Sequence, residues 1–126
     1  ELIALVERLC QDEAIASNPP LAAGLWLYID ELDRSHTISQ AIDDATGSFW
    51  HGIMHRREGD FGNSHYWFRR VGRHPAFNEI DTPGGYDGHA FIDEAAEAHS
   101  AGETPDELIE KQRAEWVGLF QWCAKQ

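Results

Sequence analysis

Along the whole chain, apolar residues recur at intervals of three and four, and no stretch alternates apolar with polar as a half-buried strand would. That pattern admits helices and excludes sheets, so the chain has to bury itself helix against helix. Leu2, Leu5, Val6, Leu9 and Cys10 form a stripe over Glu1 to about Ile15. Asn18-Pro19-Pro20 ends that helix and opens the next, because proline suits a first turn. Leu21 to Asp30 is apolar nearly all round, which predicts a central helix. After a break at residues 30–33 a helix runs to about Ile42, and residues 43–47 read as a loop. Ser48 then caps a helix ending near Glu58, and Gly59-Asp60 turns the chain into another from about Phe61 to Val71.

Residues 73–89 hold Pro75, Pro83, Gly84, Gly85 and Gly88 and read as a long irregular connection with one helical turn at 76–80. Phe91 to His99 is a short helix stopped at Gly102. Thr104-Pro105-Asp106-Glu107 combines a cap, a first-turn proline and a capping-box glutamate. The last helix follows to about Ala124, with Ile109, Trp116, Leu119, Phe120 and Cys123 as its stripe. The expected fold is all-α, one domain over residues 1–126, with about six or seven helices packed as antiparallel hairpins.

An internal repeat sharpens that expectation. Leu32-Asp33-Arg34-Ser35-His36 aligns with Phe61-Gly62-Asn63-Ser64-His65 at an offset of 29 residues, each segment opening the second helix of a hairpin. Glu58-Gly59-Asp60-Phe61 resembles the inter-helix turn of a tetratricopeptide repeat. The full consensus is missing, and the offset is shorter than the roughly 34 residues of such repeats. Two stacked hairpins with a tetratricopeptide-like central pair are expected, with His36 and His65 sharing a packing role.

The chain is long enough for a real core, and Trp26, Trp50, Trp67, Trp116 and Trp122 need one. Its formal net charge of −12 opposes nucleic acid and anionic membrane surfaces. Tyr66-Trp67-Phe68-Arg69-Arg70 has the composition of a base-stacking strip, but aromatics at helical spacing read first as core. No run is apolar enough to span a membrane. Cys10 and Cys123 read as buried free thiols in a reducing compartment, which points to the cytoplasm; a bridge between the first and last helix is the alternative. The only methionine is Met54, so the sequence leaves room for a removed N-terminal targeting segment.

One segment stands apart. Residues 51–74 carry a net charge of +3, leaving −15 for the remainder, and hold four of the seven histidines. On a helical wheel Phe49, Trp50, Ile53 and Met54 form an apolar arc with Arg57 projecting from its middle. In the partner helix Arg70 lies among Tyr66, Trp67, Phe68 and Val71. An arginine on an apolar face needs a partner, because an isolated buried charge costs several kcal/mol or more. That partner is either a carboxylate of the chain, such as Asp30, Asp33, Asp93, Glu94 or Glu115, or an anionic ligand gripped by the guanidinium fork. His51, His55 and Glu58, at i, i+4 and i+7, place three candidate ligands of a divalent metal on one helical face. The segment lacks the glutamate of His-Glu-x-x-His, and neutral-pH acid–base work by the histidines is a further reading. Asp81 and Asp87 read as turn formers around the glycine-rich loop.

Phe49-Trp50-His51-Gly52-Ile53-Met54-His55-Arg56-Arg57-Glu58, with Tyr66-Trp67-Phe68-Arg69-Arg70-Val71-Gly72-Arg73-His74-Pro75, resembles a block found in a family of soluble, mainly bacterial helical proteins without an assigned activity. The resemblance implies a shared helical fold and marks the central segment; it assigns no catalytic residue. Two functions follow as expectations. The first is a small-molecule site for an anionic ligand, with or without a metal, built from His51, His55, Arg57, Glu58, Arg70 and His74 and covered by the 73–89 loop. The second is a helical-hairpin interaction module that binds a protein segment or a second copy of itself.

Overall fold

A computed structural model describes all residues 1–126. Eight α-helices follow in order: α1 (Leu2–Leu9), α2 (Glu13–Ala16), α3 (Pro19–Tyr28), α4 (Leu32–Gln40), α5 (Ala45–Glu58), α6 (Phe61–Val71), α7 (Gly88–Ala101) and α8 (Asp106–Ala124), with a 3-10 turn at Pro75–Glu79 between α6 and α7. Consecutive helices pack as layers, α3 on α4, α4 on α5, α5 on α6 and α6 on α7. The last helix, α8, returns across α3 and the 3-10 turn. It is pinned there by the Trp116 indole N–H donating to Gly24 O (2.8 Å) and by Asn18 Nδ2 donating to Cys123 O (2.9 Å).

The repeat has a physical counterpart. The Ser35 hydroxyl donates to Ala23 O (2.9 Å), and the Ser64 hydroxyl donates to Gly52 O (2.7 Å). Both serines are fully buried and both bonds link positions 12 apart, so donor and acceptor alike repeat at the 29-residue offset. A small hydroxyl residue in the second helix therefore locks each hairpin to the backbone of its first helix.

The centre of the molecule is α5, not the more apolar α3. Every residue from Thr46 to Arg56 is buried, whereas Tyr28 at the end of α3 is 65% exposed. Small residues let α5 sit there: a Cβ on Gly52 would lie 2.6 Å from the Phe68 ring, and one on Gly47 would lie 2.1 Å from Ile42 O. The same helix starts earlier than its sequence suggests. Asp44 is the cap, accepting from Gly47 N (2.9 Å), so Ala45–Gly47 are helical and Ser48 is interior.

Other boundaries shift for equally local reasons. The first predicted helix breaks at residues 10–12, where Asp12 caps α2 by accepting from Ala14 N (3.0 Å). On α1 only Val6 is buried, while Leu2, Leu5 and Leu9 stay exposed. Asp87 is the cap of α7, accepting from Ala90 N (3.0 Å), so that helix opens before Phe91. At α8, Pro105 precedes the first helical residue and no side chain caps it. Cys10 and Cys123 are free thiols, and burial pushes the Cys123 thiol up to about 11. No helix is long and apolar enough to cross a membrane.

Candidate metal centre

His51 and His55 lie one turn apart on α5, so their rings stack along the helix with centroids 4.8 Å apart. They face α4, which brings in His36. Its ring meets His51 edge-on at 4.6 Å and His55 at 5.5 Å. One ring nitrogen from each of the three lies within 4.8 Å of the others. Trp67 of α6 closes the opposite side, lying flat on His51 at 3.8 Å. His51 and His55 are buried and His36 is half-buried, so His36 is the member that faces an approach from solvent.

The buried Nδ1 atoms of His51 and His55 have no hydrogen-bond partner. Buried polar atoms are almost always paired, so two unpaired nitrogens on neighbouring rings are exceptional. Glu58 Oε2 comes within 3.3 Å of His55 Nδ1 but outside hydrogen-bond geometry. Burial, and then the charges of His55 and His36, hold the His51 imidazole down to about 4, so it is neutral at physiological pH. Neutral imidazole is the form that ligates metal.

The sequence-derived candidates separate into groups. His51 and His55 come together with His36, while Glu58 groups instead with His55 and Asp60 at the exposed end of α5. Arg57 pairs with Asp30, Nη2 to Oδ1 at 2.9 Å. Arg70 is exposed and lies over the Trp67 ring at 5.2 Å, so Trp67 is shared by His51 and Arg70. His74 sits apart, near the start of α5. Its Nδ1 accepts from Ala76 N (3.0 Å), which leaves the proton on Nε2, facing Thr46 Oγ1 at 2.9 Å. Burial lowers the pKa of His74 despite the opposing charge of Asp44.

The arginine that is fully enclosed is Arg56. It makes two parallel bonds to Glu115, Nη1 to Oε2 at 2.9 Å and Nη2 to Oε1 at 2.6 Å, and lies 4.0 Å over the Phe91 ring. The Tyr86 hydroxyl donates to Glu115 Oε2 at 2.6 Å. Burial, reinforced by the Glu115 charge, raises the Tyr86 hydroxyl well above its ordinary pKa. A wheel that asks which face is apolar cannot find Arg56, because α5 is covered on every side. His36 was legible only as half of a repeat, since its partners lie on the next helix. Neither the family models, nor the curated proteins, nor the solved structures contain a match to this chain.

Proposed function

We propose that this domain binds a small ligand through a divalent transition metal held by His36, His51 and His55. The observation that carries the reading is the convergence of three imidazoles, two of which, His51 and His55, keep a buried Nδ1 without a hydrogen-bond partner. An all-imidazole donor set suits zinc and its neighbours in the transition series, and three protein ligands leave a fourth position for water or an anion. Tetrahedral zinc takes imidazole nitrogens at about 2.0–2.1 Å.

The test is calorimetric titration of EDTA-treated protein with zinc chloride, backed by the visible spectrum after loading with cobalt(II). One equivalent per chain and a His36→Ala variant that stays folded but binds at least about tenfold more weakly are expected. His36 is half-buried and donates to nothing in the core, so this variant should fold even if a His51 variant does not. Zinc binding no tighter in the wild type than in His36→Ala would overturn the proposal.

A second reading is a tetratricopeptide-like interaction module. The paired serine bonds and the exposed Leu2, Leu5 and Leu9 on α1 favour it. Light scattering coupled to gel filtration checks its self-association form: a strictly monomeric chain at high concentration speaks against a second copy as the partner. The free Cys10 and Cys123 support a reducing compartment such as the cytoplasm.

A further inference from the structure

The anion-binding chemistry expected of Arg57 has a different seat from the histidine centre. A cleft of about 300 Å³ opens between the ends of α3 and α5 and the outer face of α8, lined by Tyr28, Arg57, Ile109, Gln112, Arg113 and Trp116. Its volume is at the small end of ligand pockets, enough for one or two fused rings. Three features make it more than a surface dent.

The first is a fixed aromatic wall. Trp116 is held by its indole bond to Gly24 O (2.8 Å) and by stacking on Phe120 at 4.5 Å. Tyr28 leans on it with centroids 4.8 Å apart and remains 65% exposed, and Ile109 adds 42% exposed apolar surface. Large apolar groups left in water around a concavity favour an apolar occupant.

The second is positive charge without a full set of internal partners. Arg57 has one carboxylate, Asp30, whose side chain is itself 68% exposed. Arg113 has only Glu110 at 3.8 Å, an exposed pair of little worth. Glu115, the buried acid nearby, engages Arg56 with both oxygens and accepts from Tyr86 as well. Two guanidinium groups therefore gather on one cleft in a chain of net charge −12. The third feature is the donor capacity left on Arg57: Asp30, the only non-glycine residue with positive φ (64°), engages Nη2 alone (2.9 Å), so the Nη1 and Nε N–H groups have no side-chain partner.

From this arrangement we infer that the cleft binds a small aromatic carboxylate. The ring lies against Trp116, Tyr28 and Ile109, and the carboxylate is gripped between Arg57 and Arg113. A planar guanidinium fork recognises a planar carboxylate through paired hydrogen bonds. Gln112, whose Oε1 faces Arg56 Nη2 at 3.5 Å, keeps its amide N–H groups to donate to the same anion. The site shares no residue with the histidine centre, so neither reading depends on the other.

The experiment is an NMR titration of ¹⁵N-labelled protein in EDTA with 2-naphthoate, using 2-naphthamide and acetate as controls. Saturable shifts of the Trp116 indole N–H, with a Kd of about 1 mM or tighter, are expected. The amide lacks the charge and acetate lacks the ring, so each should bind at least about tenfold more weakly. Arg113→Ala, at an exposed position, should fold normally and weaken naphthoate binding about tenfold, with Arg113→Lys restoring part of it. Equal binding of naphthamide, equal binding of acetate, shifts that do not saturate, or an Arg113→Ala variant that binds like the wild type would each overturn the inference. His36→Ala should leave the titration unchanged, which separates a failure here from a failure of the metal reading.

Discussion

The hairpins α3–α4 and α5–α6 are locked by the same serine-to-backbone bond, yet the histidine that follows each serine meets opposite surroundings. Each faces the next layer of the stack. His65 looks at α7, where Asp93 Oδ1 meets its Nε2 at 2.8 Å and His89 Nδ1 meets its Nδ1 at 2.8 Å. Both of its nitrogens are engaged, at the surface, by groups of the chain itself. His36 looks at α5 and finds two more imidazoles, two of whose nitrogens are orphaned. One repeat position thus yields a closed hydrogen-bond chain in one layer and an open donor set in the other. What decides the chemistry of such a histidine is the neighbouring helix, not the hairpin that carries it.

The sharpest test of how differently the layers carry charge lies beside them. Glu115→Ala would strand Arg56 in the interior and should cost about 3–5 kcal/mol, read as a drop in the urea midpoint. Asp30→Gly removes the partner of Arg57, which is only half-buried, and suits the positive φ at that position, so it should cost under about 1 kcal/mol. Equal losses would mean that α5 is less enclosed at Arg56 than the burial of its whole length indicates.

Acid should separate the layers next. His51 is held down to about 4 and His74 is lowered by burial, both below the ordinary value near 6.5. The unfolded chain then takes up protons before the folded one. The stability these groups contribute is whole above about pH 6.5 and is lost as pH falls toward 4. In EDTA, the wild type should lose on the order of 1–2 kcal/mol between pH 7.5 and 5 through His51, with a further loss through His74. His74→Gln should flatten part of that slope.

The helical-hairpin fold could be read from the sequence, because apolar period, proline starts and glycine stops act locally. The span Phe61–Val71 of α6 matches its expected limits of about 61–71. The identity of the central helix was not legible. The apolar richness of α3 pointed to the middle, but α5 occupies it by means of Gly47 and Gly52, whose close approaches to Ile42 and Phe68 exist only after folding. The site was half legible for a related reason. An i, i+4 pair is written in one helix, so His51 and His55 could be paired in advance. His36, Trp67, Glu115 and Tyr86 arrive from other helices, and spacing along the chain says nothing of them. The repeat was the one long-range signal: it correctly placed Ser35 and Ser64 at equivalent sites, but the shared packing role expected of His36 and His65 does not hold, because the helices they face differ.

That equivalence can be broken by substitution. Ser35→Ala and Ser64→Ala each leave a buried carbonyl without its side-chain donor and should each cost about 1–2 kcal/mol by urea unfolding. A serine whose removal costs nothing would show that its hairpin is held by packing alone, and that the shared bond is a consequence of the stack.

The smallest effect is the most telling. His65→Ala removes a ring that is 26% exposed and a hydrogen bond to a carboxylate that is 75% exposed, so it should cost no more than about 0.5 kcal/mol. Zinc at a hundredfold excess over Kd should stabilise this variant by the same roughly 2.7 kcal/mol as the wild type, whereas His36→Ala should lose that gain. The two substitutions delete the same side chain from the same place in the repeat. If both abolish the zinc effect, the metal is bound by scattered surface histidines and the orphaned nitrogens at the seam carry no special meaning. If only His36→Ala does, the identity of the next layer has turned one copy of a repeated residue into a ligand and left the other as a surface hydrogen bond.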